Sequence, residues 1–212
     1  MGLTILSSLL ALTLTTAWAQ APFLAGIANA DRMLETFVST GDSKYLRSAT
    51  DILTSASEID RSSFLGRLLN GRIQLASGKY DEALETGRKL TREMPDELDP
   101  LGLLVDSARL LGKAKEAEEA ADWMLHLRPE DPRSLWRAAT LREDLGDLIG
   151  AETALVDCYK RVPKTDLFMR ATLLTQMARV RAKSGRVEDA PKYLGEAKRL
   201  IPGFHPAETA SH

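Results

Sequence analysis

An all-α solenoid of stacked helical hairpins is the fold class this sequence predicts, and three observations predict it. Gly78, Ala83 and Pro95 recur 34 residues later as Gly112, Ala117 and Pro129, and 34 later again as Gly146, Ala151 and Pro163. A further round, lengthened by five residues, gives Gly185, Ala190 and Pro202. A fixed period of this length marks a repeat in which each helical pair buries its apolar face on the next. In every round the glycine precedes the start of a helix, and the proline ends that helix by pushing its own predecessor out of helical backbone. Finally, ten helices with short connectors within residues 20–202 leave no space for a sheet.

Taken in order, Met1 to Ala30 carries no charged side chain, and Asp31 opens an ordinary mixed sequence. Leu3–Thr16 is an apolar run diluted with Ser and Thr, followed by Ala17-Trp18-Ala19. Small residues at that spacing mark signal-peptidase cleavage, so residues 1–19 read as a secretory leader and Gln20 as the mature N-terminus. The n-region lacks Lys and Arg, and the alternative is an uncleaved N-terminal anchor. No cysteine follows the small residues, which argues against a lipoprotein.

Phe23, Ile27, Met33, Leu34 and Phe37 fall mostly at helical spacing, and Gly41-Asp42-Ser43 offers a turn and an N-cap. The segment 44–59 places Ala49, Leu53 and Ala56 on one face, giving a divergent first hairpin with a longer turn. Arg61 stands there in place of the closing proline. Hairpins two to five then cover about 63–95, 100–129, 132–163 and 167–202. The repeat domain is thus 20–202, and residues 203–212 read as a short flexible tail.

The totals narrow the function classes. Hydrophobic residues make up 44% and charged residues 27%, ordinary for a soluble helical protein. A net charge of -2 argues against a nucleic-acid binder, and no block of basic residues suggests a membrane-binding tail. The one cysteine, Cys158, excludes a disulfide framework and a multi-cysteine metal site.

On these landmarks the chain resembles the tetratricopeptide repeat (TPR) family from about Phe23 to Pro202. The turn glycine, the alanine of the second helix and the closing proline carry the likeness. So do small residues seven before the turn glycine: Gly71, Val105, Ala139 and Ala178. The likeness implies a right-handed superhelix of about five hairpins. It departs from the family at the first-helix tryptophan, which is Arg67, Leu101, Leu135 or Leu174 here. The first-helix tyrosine is Gln74, Ala108, Arg142 or Arg181, and Gly87 replaces a large residue.

Chemistry is sparse. His126 sits in the last turn of a helix, where a cation meets the negative end of the dipole. His205 and His212 fall in the tail. Cys158 shares its phase with Leu90, Met124 and Ala197, an inward position for a small hydrophobe. Acids at Asp81-Glu82, Glu116-Glu118 and Glu188-Asp189 recur at helix starts, where exposed N–H groups favour them. No phosphate-binding loop, HExxH or CxxC is present, so no catalytic, cofactor or metal residue is assigned.

The resemblance directs attention to the concave face, lined by the first helix of each hairpin. It places Arg72, Asp106, Arg109, Trp136, Thr140, Glu143, Arg179 and Lys183 there as a candidate groove for a protein or peptide partner. Trp136 serves either as an interface anchor or as packing against the next repeat. Arg109 is expected beside it. The basic clamp by which some relatives hold a C-terminal carboxylate is not visible, since hairpin two offers Leu65 and Leu68.

The sequence therefore reads as a non-catalytic interaction scaffold, periplasmic or secreted, in the bacterial cell envelope. Two alternatives stand beside it: a membrane-anchored periplasmic helper of envelope complex assembly, and an accessory subunit of an envelope enzyme. With no capping helix expected after hairpin five, an end-to-end homodimer is open.

Overall fold

The computed structural model describes residues 3–210, with side chains from Pro22 onward. The expected leader and its cleavage site lie outside the described side chains, and His212 lies outside the described residues.

Twelve α-helices make up the described chain: α1 Leu3–Thr40, α2 Ser43–Ser55, α3 Glu58–Ser62, α4 Phe64–Ala76, α5 Tyr80–Glu93 and α6 Leu98–Leu110. They continue as α7 Ala114–Leu127, α8 Pro132–Asp144, α9 Leu148–Arg161, α10 Leu167–Lys183, α11 Ala190–Leu200 and α12 His205–Thr209, and no strand occurs among the described residues. Five antiparallel pairs form the hairpins: α1–α2, α4–α5, α6–α7, α8–α9 and α10–α11. The first member of each pair is the A helix and the second the B helix. Successive A helices pack on one another, α4 on α6 and α6 on α8. Most of the five extra residues of the last round lengthen α10, which has 17 residues against 13 in α8.

Turn chemistry explains why the period survives. Gly78, Gly112, Gly146 and Gly185 all adopt left-handed backbone, φ +70° to +82°, which only glycine takes without strain. The residue after each glycine donates its N–H back into the A helix: Lys79 to the Gln74 carbonyl, Lys113 to Ala108, Asp147 to Arg142 and Arg186 to Arg181, at 2.9–3.0 Å. This is a Schellman closure, which satisfies carbonyls orphaned at the helix end.

Packing is dense where side chains are small. Ala49, Ala83, Ala117 and Ala151 have no exposed surface, while Ala190 of the fifth hairpin is half-buried. Gly71 is buried, and a methyl group added there would lie 2.4 Å from the Leu103 side chain and 2.9 Å from Thr86. Gly87 follows the same logic, because its added methyl would meet the Leu104 backbone at 3.0 Å. The large residue expected there is excluded by this approach of α5 to α6. Leu90, Met124, Cys158 and Ala197 form the inward layer their shared phase predicts.

Three expectations need correction. The first hairpin does not have a longer turn: Gly41-Asp42 is a two-residue connection, and α2 starts early instead, capped by the Asp42 side chain accepting from the Lys44 N–H. The helix expected to reach Ile59 stops at Ser55. Arg61 Nη1 donates to the carbonyls of Thr54 and Ala56 at 3.0 and 2.6 Å, and the short α3 follows. An arginine thereby does at this helix end what proline does in the later hairpins, by a different route.

The third correction concerns the tail. Residues 205–209 form α12, and Phe204 and Ala207 are fully buried. Phe204 meets Phe168 edge to face, ring centres 6.2 Å apart, and Lys198 pairs with Glu208 at 3.0 Å. An open end after hairpin five rests on the absence of a further helix, and α12 removes that ground. Packed on α10 and α11, α12 also touches α1: a methyl on Gly41 would approach the His205 ring at 3.1 Å. The two ends of the solenoid meet.

Phe204→Ala is expected to lower unfolding free energy by about 3 kcal/mol, the usual cost of truncating a buried phenylalanine. Urea unfolding measures it. An unchanged midpoint would show that α12 contributes nothing to the fold.

Candidate binding site on the A-helix face

The A helices present a row of charged side chains at intervals close to the repeat length, so charges on one helix fall opposite charges on the next. Asp31 on α1 pairs with Arg72 on α4 at 2.8 Å, and Arg72 reaches Asp99 on α6 at 3.3 Å. Asp99 meets Arg133 on α8 at 3.1 Å. Asp106 on α6 pairs with Arg137 on α8 at 2.7 Å, and Arg109 with Asp144 at 3.2 Å.

The last rung is deeper. Glu143 on α8 keeps only 1% of its side chain exposed and is surrounded by donors from α10. Arg179 donates from Nε and Nη2 at 2.6 and 2.8 Å, Lys183 Nζ at 2.8 Å, and Gln176 Nε2 at 3.0 Å. The Gln176 oxygen in turn accepts from the Trp136 indole N–H at 2.8 Å. Burial by itself pushes the Glu143 carboxyl up, but the hydrogen bonds from Arg179, Lys183 and Gln176 outweigh it and hold the group at about 2.

These residues wall a half-enclosed cavity of about 320 Å³ between α6, α8, α10 and α12. Of the eight residues expected to line the groove, Arg109, Trp136, Thr140, Glu143, Arg179 and Lys183 come together there. Arg72 and Asp106 do not; they belong to the ion-pair rungs farther along. Asp144, Thr172, Thr175, Gln176 and Pro206 complete the lining. Thr172, Gln176, Arg179 and Lys183 lie four, three and four residues apart, one helical face, so extending the Arg179–Lys183 pattern backwards finds two of them. Nothing in the sequence pointed to Pro206, which comes from the tail helix.

Arg109 and Trp136 share the cavity, yet the guanidinium beside the indole belongs to Arg137, 5.3 Å from the ring centre. Trp136 has two roles. It is half-buried against the core of hairpins four and five, and its remaining surface lines the cavity.

The other candidate groups lie elsewhere. Cys158 is fully buried, its thiol donates to the Pro132 carbonyl at 3.2 Å, and burial pushes it up to about 12. His126 is exposed and stacked on Trp123 with ring centres 5.0 Å apart. Among the described residues no group of His, Cys, Asp and Glu is arranged to hold a metal ion.

No family model matches the chain, and no curated protein sequence does. Solved structures do. The thermophilic TPR protein TTC0263 of Thermus thermophilus is similar with a TM-score of 0.68 at 16% identity, covering 85% of this chain and 95% of its own. YrrB, described as a TPR protein with an unusual peptide-binding site, gives 0.53 at 17% identity, covering 90% and 88%. A crystal structure of MamA gives 0.50 at 17%, covering 66% and 79%. The fold is a TPR-like solenoid.

Replacing Glu143 with Gln is expected to cost about 2 kcal/mol or more, less than a fully buried pair because Arg179 and Lys183 are half exposed. Since its pKa is depressed by folding, the stabilisation is complete above about 4.5 and is lost as pH falls towards about 2. Unfolding of wild type and Glu143→Gln at several pH values should converge across that window. A constant difference down to the lower limit would contradict the assignment.

Proposed function

We propose that this protein is a non-catalytic protein–protein interaction scaffold of the bacterial cell envelope, which holds a partner peptide or protein against its A-helix face. The observation that carries this reading is the polar cavity. Glu143, Thr175 and Gln176 are buried polar residues that all line it, although an apolar wall would cost less to bury. Polar groups retained at such cost, in a cleft with a partly exposed tryptophan, mark a binding site rather than a packing surface. The likeness to YrrB, described as having a peptide-binding site, supports a peptide as the partner. The envelope setting rests on the apolar leader and its Ala17-Trp18-Ala19 junction. Among the described residues no helix is long and apolar enough to cross a membrane.

Crosslinking in the native envelope, followed by identification of the captured protein, tests the proposal. The recovered chain should begin at Gln20, and capture should fall about thirtyfold with Arg109→Glu or Trp136→Ala, the effect of losing a central anchor. Undiminished capture by both variants, each shown to be folded, would sink the binding site. A chain retaining Met1 in the membrane fraction would assign the anchored alternative.

A further inference from the structure

The helices around the A-helix face make a closed circuit. α1 packs on α4, α4 on α6 and α6 on α8. Arg179 and Lys183 tie α10 to α8 through Glu143, and α12 packs on α10 and returns to α1. A partner lying along this face is therefore encircled. Threading admits a free chain end, but a continuous segment enters only where the circuit opens. The weakest link decides what the face can take.

That link is the seam between α1 and α12. Other links carry ion pairs between neighbouring A helices, Asp31 to Arg72 at 2.8 Å and Asp106 to Arg137 at 2.7 Å. α12 itself is fixed to hairpin five, since Phe204 and Ala207 have no exposed surface and Glu208 pairs with Lys198 at 3.0 Å. Towards α1 it presents His205, which stays exposed although its ring lies beside Gly41, a residue with no side chain to hold it. Negative charge also meets negative charge there. Partial loss of water, Asp166 at the N-cap of α10 and Asp31 on the same helix all lift the Glu35 carboxyl above its ordinary range, against Arg72 on α4. Like charges push the two sides of the seam apart.

We propose that the α1–α12 seam is a gate, opening between Gly41 and His205 to admit an internal segment of the partner to the A-helix face. α12 moves with hairpin five, to which it is fixed. The His205 contact holds the seam shut, and repulsion between Glu35 and Asp166 favours the open form. The inference rests on the reading of this face as the partner site. Apparent affinity is then scaled by the fraction of molecules standing open.

Spin labels at Asp51→Cys on α2 and Lys192→Cys on α11, both exposed, report the separation of hairpins one and five in the full chain, while buried Cys158 stays unlabelled. Two distances are expected, one for the closed circuit and a longer one for the open form. Glu35→Gln and Asp166→Asn keep the size of each side chain and the α10 cap. Each should lower the open fraction about twofold, the scale of one partly exposed charge interaction. His205→Asp places a third negative charge at the seam and should raise it. Crosslinked partner capture should follow the same order. Distances left unchanged by all three variants would overturn the gate and leave the partner site standing. Distances that shift while capture stays level would overturn it too, because the seam would move without controlling entry. A wild-type protein that captures no partner would remove the partner reading, and the gate with it.

Discussion

Wherever an A helix meets its B helix in the first four hairpins, an alanine with no exposed surface sits in the contact: Ala49, Ala83, Ala117 and Ala151. Small or slender residues also recur on the A helices, with Gly71, Val105, Ala139 and Ala178 all buried. Close approach of two helices requires this, because a longer side chain holds the axes apart and forces its neighbours off their rotamers. Repeating that contact at a fixed interval aligns the A helices in a row. Only then do charges separated by roughly one repeat fall opposite each other, Asp99 to Arg133 at 34 residues and Arg109 to Asp144 at 35. The polar cavity is a product of that alignment.

Energetically the A-helix face is two surfaces. Most of its outer rungs are partly exposed ion pairs that contribute little on their own, Asp106–Arg137 being more buried than the rest. The rung at Glu143 is different, since desolvating a carboxylate is costly and only a full set of donors offsets it. Arg179, Lys183 and Gln176 provide that set, and Gln176 passes the constraint to Trp136 through the indole hydrogen bond. One side of the cavity is therefore rigid. Arg109, with an unused donor and a single carboxylate contact, stands on the other side. Closure by α12 turns what would be an open trough into a pocket.

Hairpin boundaries were legible because glycine and proline act locally: Gly78 and Pro95 need no distant partner to turn or stop a chain. Six of the cavity residues were legible through the family resemblance, which puts the first helix of each hairpin on the groove face. What escaped depends on contacts remote in sequence. Phe204 is buried through Phe168, and His205 abuts Gly41 at the other end of the chain, so α12 carried no local signal. Arg61 ends α2 through its side chain, where the repeat pattern gave only a missing proline. The pairing of Trp136 with Gln176 spans 40 residues between hairpins of unequal length, which hid it from any fixed offset.

Thermal unfolding of Ala117→Leu, with Ala114→Leu as its exposed counterpart, tests the alanine contact on which this arrangement depends. Ala117 has no exposed surface, whereas Ala114 at the start of the same helix is exposed. Ala117→Leu should be destabilised by about 1–3 kcal/mol, the cost of overpacking, and Ala114→Leu should be close to wild type. Equal midpoints for the two variants would contradict the claim that a small residue at this phase sets the spacing of the helices.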